Sequence, residues 1–108
     1  MTNALQAVQA TFLLIDAEYS LLRLACTSQQ QRDALAAQYA AAEDAYEACI
    51  DKMLEEDNPD VAALSTQLNA ANAQVKQSVA ELGDMSKVID HITTAVTLGA
   101  QLAAKRAV

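Results

Sequence analysis

The longest regular pattern in this sequence is a row of apolar residues that recurs every three or four positions from Val61 to Ala103. Its members are Val61, Leu64, Leu68, Ala71, Val75, Ser78, Leu82, Met85, Ile89, Ile92, Val96, Gly99 and Ala103. This spacing places all of these side chains on one face of an α-helix. The row passes through Gly83 unchanged, so it predicts one helix over about 59–105, roughly 70 Å long. The alternative is a break at Gly83-Asp84, with Gly83 just past the end of one helix and Asp84 as the N-cap of the next.

The N-terminal segment 4–26 carries two apolar rows instead of one. The first is Leu5, Val8, Phe12, Ile15, Tyr19, Leu22 and Cys26, and the second is Ala10, Leu14, Ala17, Leu21 and Leu24. One neighbouring helix covers one face, so this segment needs more than one neighbour. A single row resumes at Leu35 and predicts a first helix over about 4–56. The polar stretch 27–31 allows a break there, with Ser28 and Gln31 as a capping box.

The turn between the two predicted helices lies at Asn58-Pro59. Asn58 suits an N-cap, Pro59 suits the first helical position, and Asp60 faces the positive end of the helix. The rows on either side can be matched as antiparallel layers in constant register, with Tyr46 opposite Ala71 and Tyr39 opposite Ser78. The pattern therefore favours an all-α fold, a long antiparallel hairpin that assembles into a multi-helix bundle. A compact bundle of three or four helices is the alternative.

Composition supports one all-helical domain over 1–108. Hydrophobic residues make up 53%, many of them alanine, and two Gly and one Pro leave few turn signals. No apolar run reaches the length of a membrane span, and no secretory signal precedes an apolar core. We therefore expect a cytoplasmic protein, with export without a cleaved signal left open. Cys26 and Cys49 both fall on apolar rows and are expected to be reduced and buried.

The net charge of −7 is concentrated in residues 33–60, which hold most of the acidic residues and one Lys. A chain with this balance and no basic patch is not expected to bind nucleic acid or an anionic membrane. An acidic tip crowds the predicted turn and consists of Asp51, Glu55, Glu56, Asp57 and Asp60. We interpret this tip as a solvated surface, or as a docking surface for a basic partner.

Motifs for catalysis and metal binding are not found in the sequence. The only histidine, His91, lacks the Glu-x-x-His spacing of di-iron bundles, and no zinc or phosphate-binding motif occurs. We therefore expect no enzyme activity, no cofactor and no metal. His91 lies in a second apolar row on the last helix, and we expect it at the rim of an interface. A more specific hypothesis is that its contact there depends on pH.

The second rows of the two helices predict an interaction surface. Two paired helices bury one row each, so the extra apolar residues would form a large exposed patch near the chain termini. The predicted interface is Leu14, Leu21, Leu24, Val88, His91, Leu98 and Leu102. The leading hypothesis is a non-enzymatic interaction module, a self-associating scaffold or adaptor. We expect a homo-oligomer, a dimer first, and another protein as a further partner.

A helical hairpin that turns at Asn58-Pro59 and continues with Leu64, Gln67, Leu68 and Asn72 resembles the needle subunits of type III secretion systems. The resemblance covers part of the chain, which is longer than those subunits and has an apolar N-terminal segment where theirs is polar. It implies a structural subunit of a secretion-type assembly. The second hypothesis for function is a structural subunit, or a chaperone, of a secretion-type or phage-type assembly. A ligand-binding bundle with a pocket lined by the tyrosines is the third hypothesis.

Overall fold

The computed structural model describes residues 3–50 and 58–105, and within these ranges the chain is helical with no strand. It forms α1 (Asn3–Ala25), α2 (Gln29–Ile50), α3 (Pro59–Glu81) and α4 (Met85–Ala103). The all-α class predicted from the apolar rows is confirmed. Four helices pack against one another, which is the compact alternative and not the single long hairpin.

The turn between α1 and α2 lies where the polar stretch allowed a break. Ser28 Oγ accepts a hydrogen bond of 3.1 Å from the backbone N–H of Gln31, as in a capping box. Gln31 reaches one residue further back than that motif requires, since its Oε1 accepts the backbone N–H of Thr27 at 2.7 Å. These two bonds satisfy donors that the start of α2 would otherwise leave without partners.

The predicted start of α3 at Asn58-Pro59 is confirmed. Asn58 Oδ1 accepts the backbone N–H groups of Asp60 at 2.9 Å and Val61 at 3.4 Å, so it caps the helix. Pro59 occupies the first turn, where its missing N–H leaves no bond unmade.

The predicted continuous helix through Gly83 is wrong, because the chain turns between α3 and α4. Leu82 adopts the left-handed conformation with φ of 44°, and its N–H still bonds to the carbonyl of Ser78. Asp84 then caps α4 by accepting the N–H of Ser86 at 2.9 Å. Leu82 and Met85 keep the three-residue spacing of a helix although the chain reverses between them, so periodicity did not reveal the turn.

The folded chain measures 44 × 21 × 18 Å, far short of a helix of roughly 70 Å. The predicted pairing of Tyr46 with Ala71 and of Tyr39 with Ser78 is also wrong. Within the described ranges α2 and α3 do not touch, and they lie across one diagonal of the bundle. Both tyrosines instead stack on Phe12 of α1.

The bundle consists of two antiparallel hairpins, α1–α2 and α3–α4, that lie side by side. Each helix has one parallel neighbour, since α1 packs beside α3 and α2 beside α4. α1 and α4 also meet across the short diagonal, where Gly99 approaches Val8. α1 and α4 therefore have three neighbours each, and α2 and α3 have two. The helices with three neighbours are the two whose sequences carry a second apolar row.

The core is a continuous cluster drawn from all four helices. Its largest fully buried side chains are Ile15, Leu22, Leu35, Leu68, Ile92 and Leu102. Cys26 and Cys49 are buried thiols, as expected. Between α1 and α3 the core includes polar groups, because Thr11 and Asn72 are buried and hydrogen-bonded to each other.

Candidate interaction surfaces

The part of the predicted interface that lies on α4 is buried or half-buried within the same chain. Val88 and Leu102 are buried in the core, and Leu98 is half-buried against it. His91 is half-buried and hydrogen-bonded to Ser78 of α3. The second row of α4 is therefore used to hold the bundle together.

The part of the predicted interface on α1 is divided between core and surface. Leu14 is half-buried and packs against the core, whereas Leu21 and Leu24 are 45% and 83% exposed. Leu13, which belongs to neither predicted row, is 50% exposed. Sequence reasoning missed Leu13 because Leu14 fitted the row better. The adjacent leucines were themselves a signal, since neighbouring residues of a helix point in directions about 100° apart.

We define the α1 outer face as Ala10, Leu13, Ala17, Leu21 and Leu24. At about 100° per residue, these five side chains fall within an arc of roughly 80° and span roughly 21 Å of helix. Ala17 is exposed and Ala10 is half-buried. The charged residues of this stretch lie on the flanks of the helix, outside the arc. The outer face is thus a narrow apolar strip that includes three of the four large exposed hydrophobic side chains of the described residues, the fourth being Ile50.

The four aromatic residues of the chain form one ladder along the groove between α1 and α2. Phe12 lies between Tyr39 and Tyr46, with ring centroids 5.7 and 5.8 Å away. Tyr19 extends the ladder from Tyr39, at a centroid distance of 4.7 Å. Distances of this size are favourable for aromatic pairs, so the ladder fixes the register of α2 on α1.

Two hydrogen bonds hold the outer edge of the ladder. Gln9 Nε2 donates to the Tyr46 hydroxyl at 3.2 Å, and the Tyr39 hydroxyl donates to Asp16 at 2.5 Å. The bond to the Asp16 carboxylate raises the pKa of Tyr39, because it stabilises the protonated phenol. Desolvation and the negative charges of Asp16 and Glu43 act in the same direction.

A cleft of about 490 Å³ lies at the Tyr19 end of the ladder, next to the α1–α2 turn. Its walls are Tyr19, Ser20, Arg23, Leu24 and Arg32. Sequence reasoning did not find this site, because Arg23 and Arg32 lie on different helices and belong to no spacing motif. Only the turn at 26–28 brings them together.

Of the acidic tip, Asp51, Glu55, Glu56 and Asp57 lie outside the described residues. Asp60 is described, and its carboxylate lies 3.7 Å from the Nζ of Lys105. The Asp60 side chain is 77% exposed and the Lys105 side chain 36%, so solvent screens this pair and it contributes little to stability. The prediction of a docking surface at the tip stays a prediction.

The one histidine of the chain, His91, is hydrogen-bonded to a serine of the neighbouring helix. Ser78 and His91 share a hydrogen bond across α3 and α4, and no carboxylate described there bonds to His91 as the third member of a triad would. No group of three potential metal ligands occurs among residues 3–50 and 58–105. In the same ranges no helix has the length and apolar character needed to cross a membrane.

Comparisons with protein-family models, with curated proteins and with solved structures find no match to this chain.

Proposed function

We propose that this chain is a non-enzymatic helical interaction module that pairs with a second copy of itself through the α1 outer face. The observation that carries the proposal is the concentration of exposed leucines on that one face. Leu13, Leu21 and Leu24 are all at least 45% exposed and lie on one side of one helix. Soluble monomers rarely leave contiguous apolar surface of this kind uncovered.

The order of large and small residues on the outer face suits a twofold contact. The spacing from Ala10 to Leu24 is 3, 4, 4, 3, which reads the same in both directions. Two antiparallel copies centred on Ala17 would therefore place Leu13 against Leu21 and Ala10 against Leu24, each twice. Most protein dimers are twofold and self-complementary in this way.

The centre of that contact is formed by small residues. Ala17 would face its own copy, and two alanines let helices approach at the short end of the 8–10 Å range of interaxial distances. No charged residue lies within the arc of the face, so closing the contact leaves no unpaired charge in it. The buried rows of α4 are not needed for this pairing, so each copy keeps its own core.

Sedimentation against concentration tests the proposal. We expect a reversible rise from the 11.5 kDa monomer to twice that mass and no further growth. Replacing both Leu13 and Leu21 with Glu places like charges opposite one another in the contact. Because these charges repel, the variant should stay monomeric.

The matched control is Ala63→Glu with Ala70→Glu, which adds the same charge to exposed positions of α3. This control should dimerise like the parent chain. A parent chain that is monomeric at every concentration contradicts the proposal, as does a leucine variant that keeps the dimer mass. Open-ended growth would instead favour the subunit of a filament or larger assembly.

A further inference from the structure

Two of the few cations of this chain line one cleft. The sequence has 7 Lys and Arg against 14 Asp and Glu. In so acidic a chain, an arginine is expected to lie beside a carboxylate. Arg23 of α1 and Arg32 of α2 instead lie together at the cleft beside the α1–α2 turn.

Neither guanidinium is paired with a carboxylate in the described part of the chain. The ion pair found there joins Lys105 and Asp60, at the opposite end of the bundle. Arg32 Nε donates to the neutral side-chain oxygen of Gln29 at 3.2 Å. This bond orients Arg32, and no direct ion pair with a carboxylate is found for it among the described residues.

Two acids on this side of the bundle, Asp33 and Asp16, bond to neutral donors. Gln29 Nε2 donates to Asp33 at 2.7 Å, and the Tyr39 hydroxyl donates to Asp16. Both carboxylates therefore have partners other than the arginines. The two cations remain available to an anion that enters the cleft.

Two other walls of the cleft are aromatic and apolar, Tyr19 and Leu24. Tyr19 ends the aromatic ladder there, and Leu24 is the most exposed large hydrophobic side chain described. The volume of about 490 Å³ lies within the usual range of roughly 300–1,000 Å³ for small-molecule sites. Ser20 adds one hydroxyl to the rim.

We infer that this cleft binds a small organic anion, a carboxylate carried on a flat apolar body. The planar guanidinium groups of Arg23 and Arg32 match a carboxylate with paired N–H donors, which a lysine would not. The Tyr19 ring and Leu24 would cover the apolar body. This function is distinct from dimerisation, although Leu24 belongs to both the cleft and the α1 outer face.

A titration followed by amide chemical shifts tests the inference, with 2-naphthoate as the probe. We expect 2-naphthoate to shift the amide signals of residues 19–24 and of Arg32. The neutral amide 2-naphthamide should bind at least about tenfold more weakly, because it lacks the charge that strengthens a hydrogen bond to an arginine. Inorganic phosphate, which lacks the apolar body, should also bind at least about tenfold more weakly. Leu24 also belongs to the α1 outer face, so the titration is repeated at two protein concentrations.

Arg23→Gln and Arg32→Gln should each weaken 2-naphthoate binding by about tenfold or more. The matched control is Lys76→Gln, which removes one positive charge from an exposed position on α3 and should leave the affinity within about twofold. Four results would overturn the inference: no shifts up to the solubility of 2-naphthoate, equal binding of 2-naphthamide or phosphate, unchanged affinity in both arginine variants, or an equal loss in Lys76→Gln.

Discussion

The hydroxyl of Thr11 in α1 lies 2.6 Å from Oδ1 of Asn72 in α3, and both side chains are buried. Asn72 Nδ2 donates in turn to the carbonyl of Ala7 at 3.0 Å. Buried polar groups that hydrogen-bond to one another therefore hold α1 against its parallel neighbour α3. A buried network of this kind is costly to break at a single point.

We predict that Thr11→Val destabilises the fold by about 1–3 kcal/mol, because Oδ1 of Asn72 is then buried without a donor. Adding Asn72→Leu removes that orphaned acceptor and should recover part of the loss. Urea unfolding of the two variants measures both effects. The control is Thr66→Val at an exposed position of α3, which should change the free energy of unfolding by less than about 0.5 kcal/mol. Equal effects of Thr11→Val and Thr66→Val would contradict a structural role for the network.

The α3–α4 turn gives a second prediction. Of the described residues, Leu82 and not Gly83 has the positive φ, and a Cβ added to Gly83 meets no atom within 4 Å. Gly83→Ala should therefore stabilise the chain by about 0.4–1 kcal/mol, by restricting the unfolded state. Thermal and urea unfolding measure the change. A loss of stability would show that Gly83 needs the left-handed conformation.

The bond between Tyr39 and Asp16 predicts a pH dependence. The pKa of Tyr39 is raised in the folded state, so folding favours the protonated phenol. The stabilisation is then present below the ordinary tyrosine pKa of about 10 and is lost as the pH rises through the folded pKa. Asp16→Asn should lower the pKa of Tyr39 toward its ordinary value, as followed by NMR of labelled tyrosine. Asp44→Asn, at an exposed acid of the same helix as Tyr39, should leave it unchanged.

The predicted interface residues should divide into two groups by their effect on stability. Leu102 is fully buried, so Leu102→Ala should cost about 2–5 kcal/mol of folding free energy. Leu24→Ala should change the stability of the monomer by less than about 0.5 kcal/mol and weaken self-association instead. Unfolding at low protein concentration and sedimentation at high concentration separate the two effects. Similar folding losses in both variants would contradict this division.

Helix caps could be predicted from the sequence more reliably than the turn between α3 and α4. A helix cap depends on a few neighbouring residues. The sequence alone therefore indicated the start of α3 at Asn58 and Pro59 and the Ser28–Gln31 bond at the start of α2. The turn at Leu82 was harder to predict. Gly83 and Asp84 allowed a break there, but the apolar spacing continues across it, and the left-handed residue is Leu82 and not the glycine. Periodicity reports which face is buried, not which neighbour buries it.

The packing partners were harder to predict than the helices. The double apolar row of 4–26 correctly indicated a segment with more than one neighbour. The second row of the last helix was interpreted as an association surface, although Val88 and Leu102 are buried within the bundle. The contact of α1 with α3 is partly polar, since Asn72 makes it through Thr11 and Ala7, and a row of apolar residues gives no sign of such a contact. The arginine cleft depends on two helices meeting at a turn, and no one-dimensional pattern contains that information.

The most direct test of the proposed self-association is a cross-link at the centre of the α1 outer face. A cysteine at Ala17 should join two copies through a short bismaleimide reagent, since the antiparallel contact places Ala17 against its own copy. The parent chain, whose cysteines are buried, and Ala70→Cys on α3 serve as controls and should not cross-link. Efficient dimer formation by Ala17→Cys alone is the result we predict. Equal cross-linking of Ala17→Cys and Ala70→Cys, or none from either, would contradict pairing through this face.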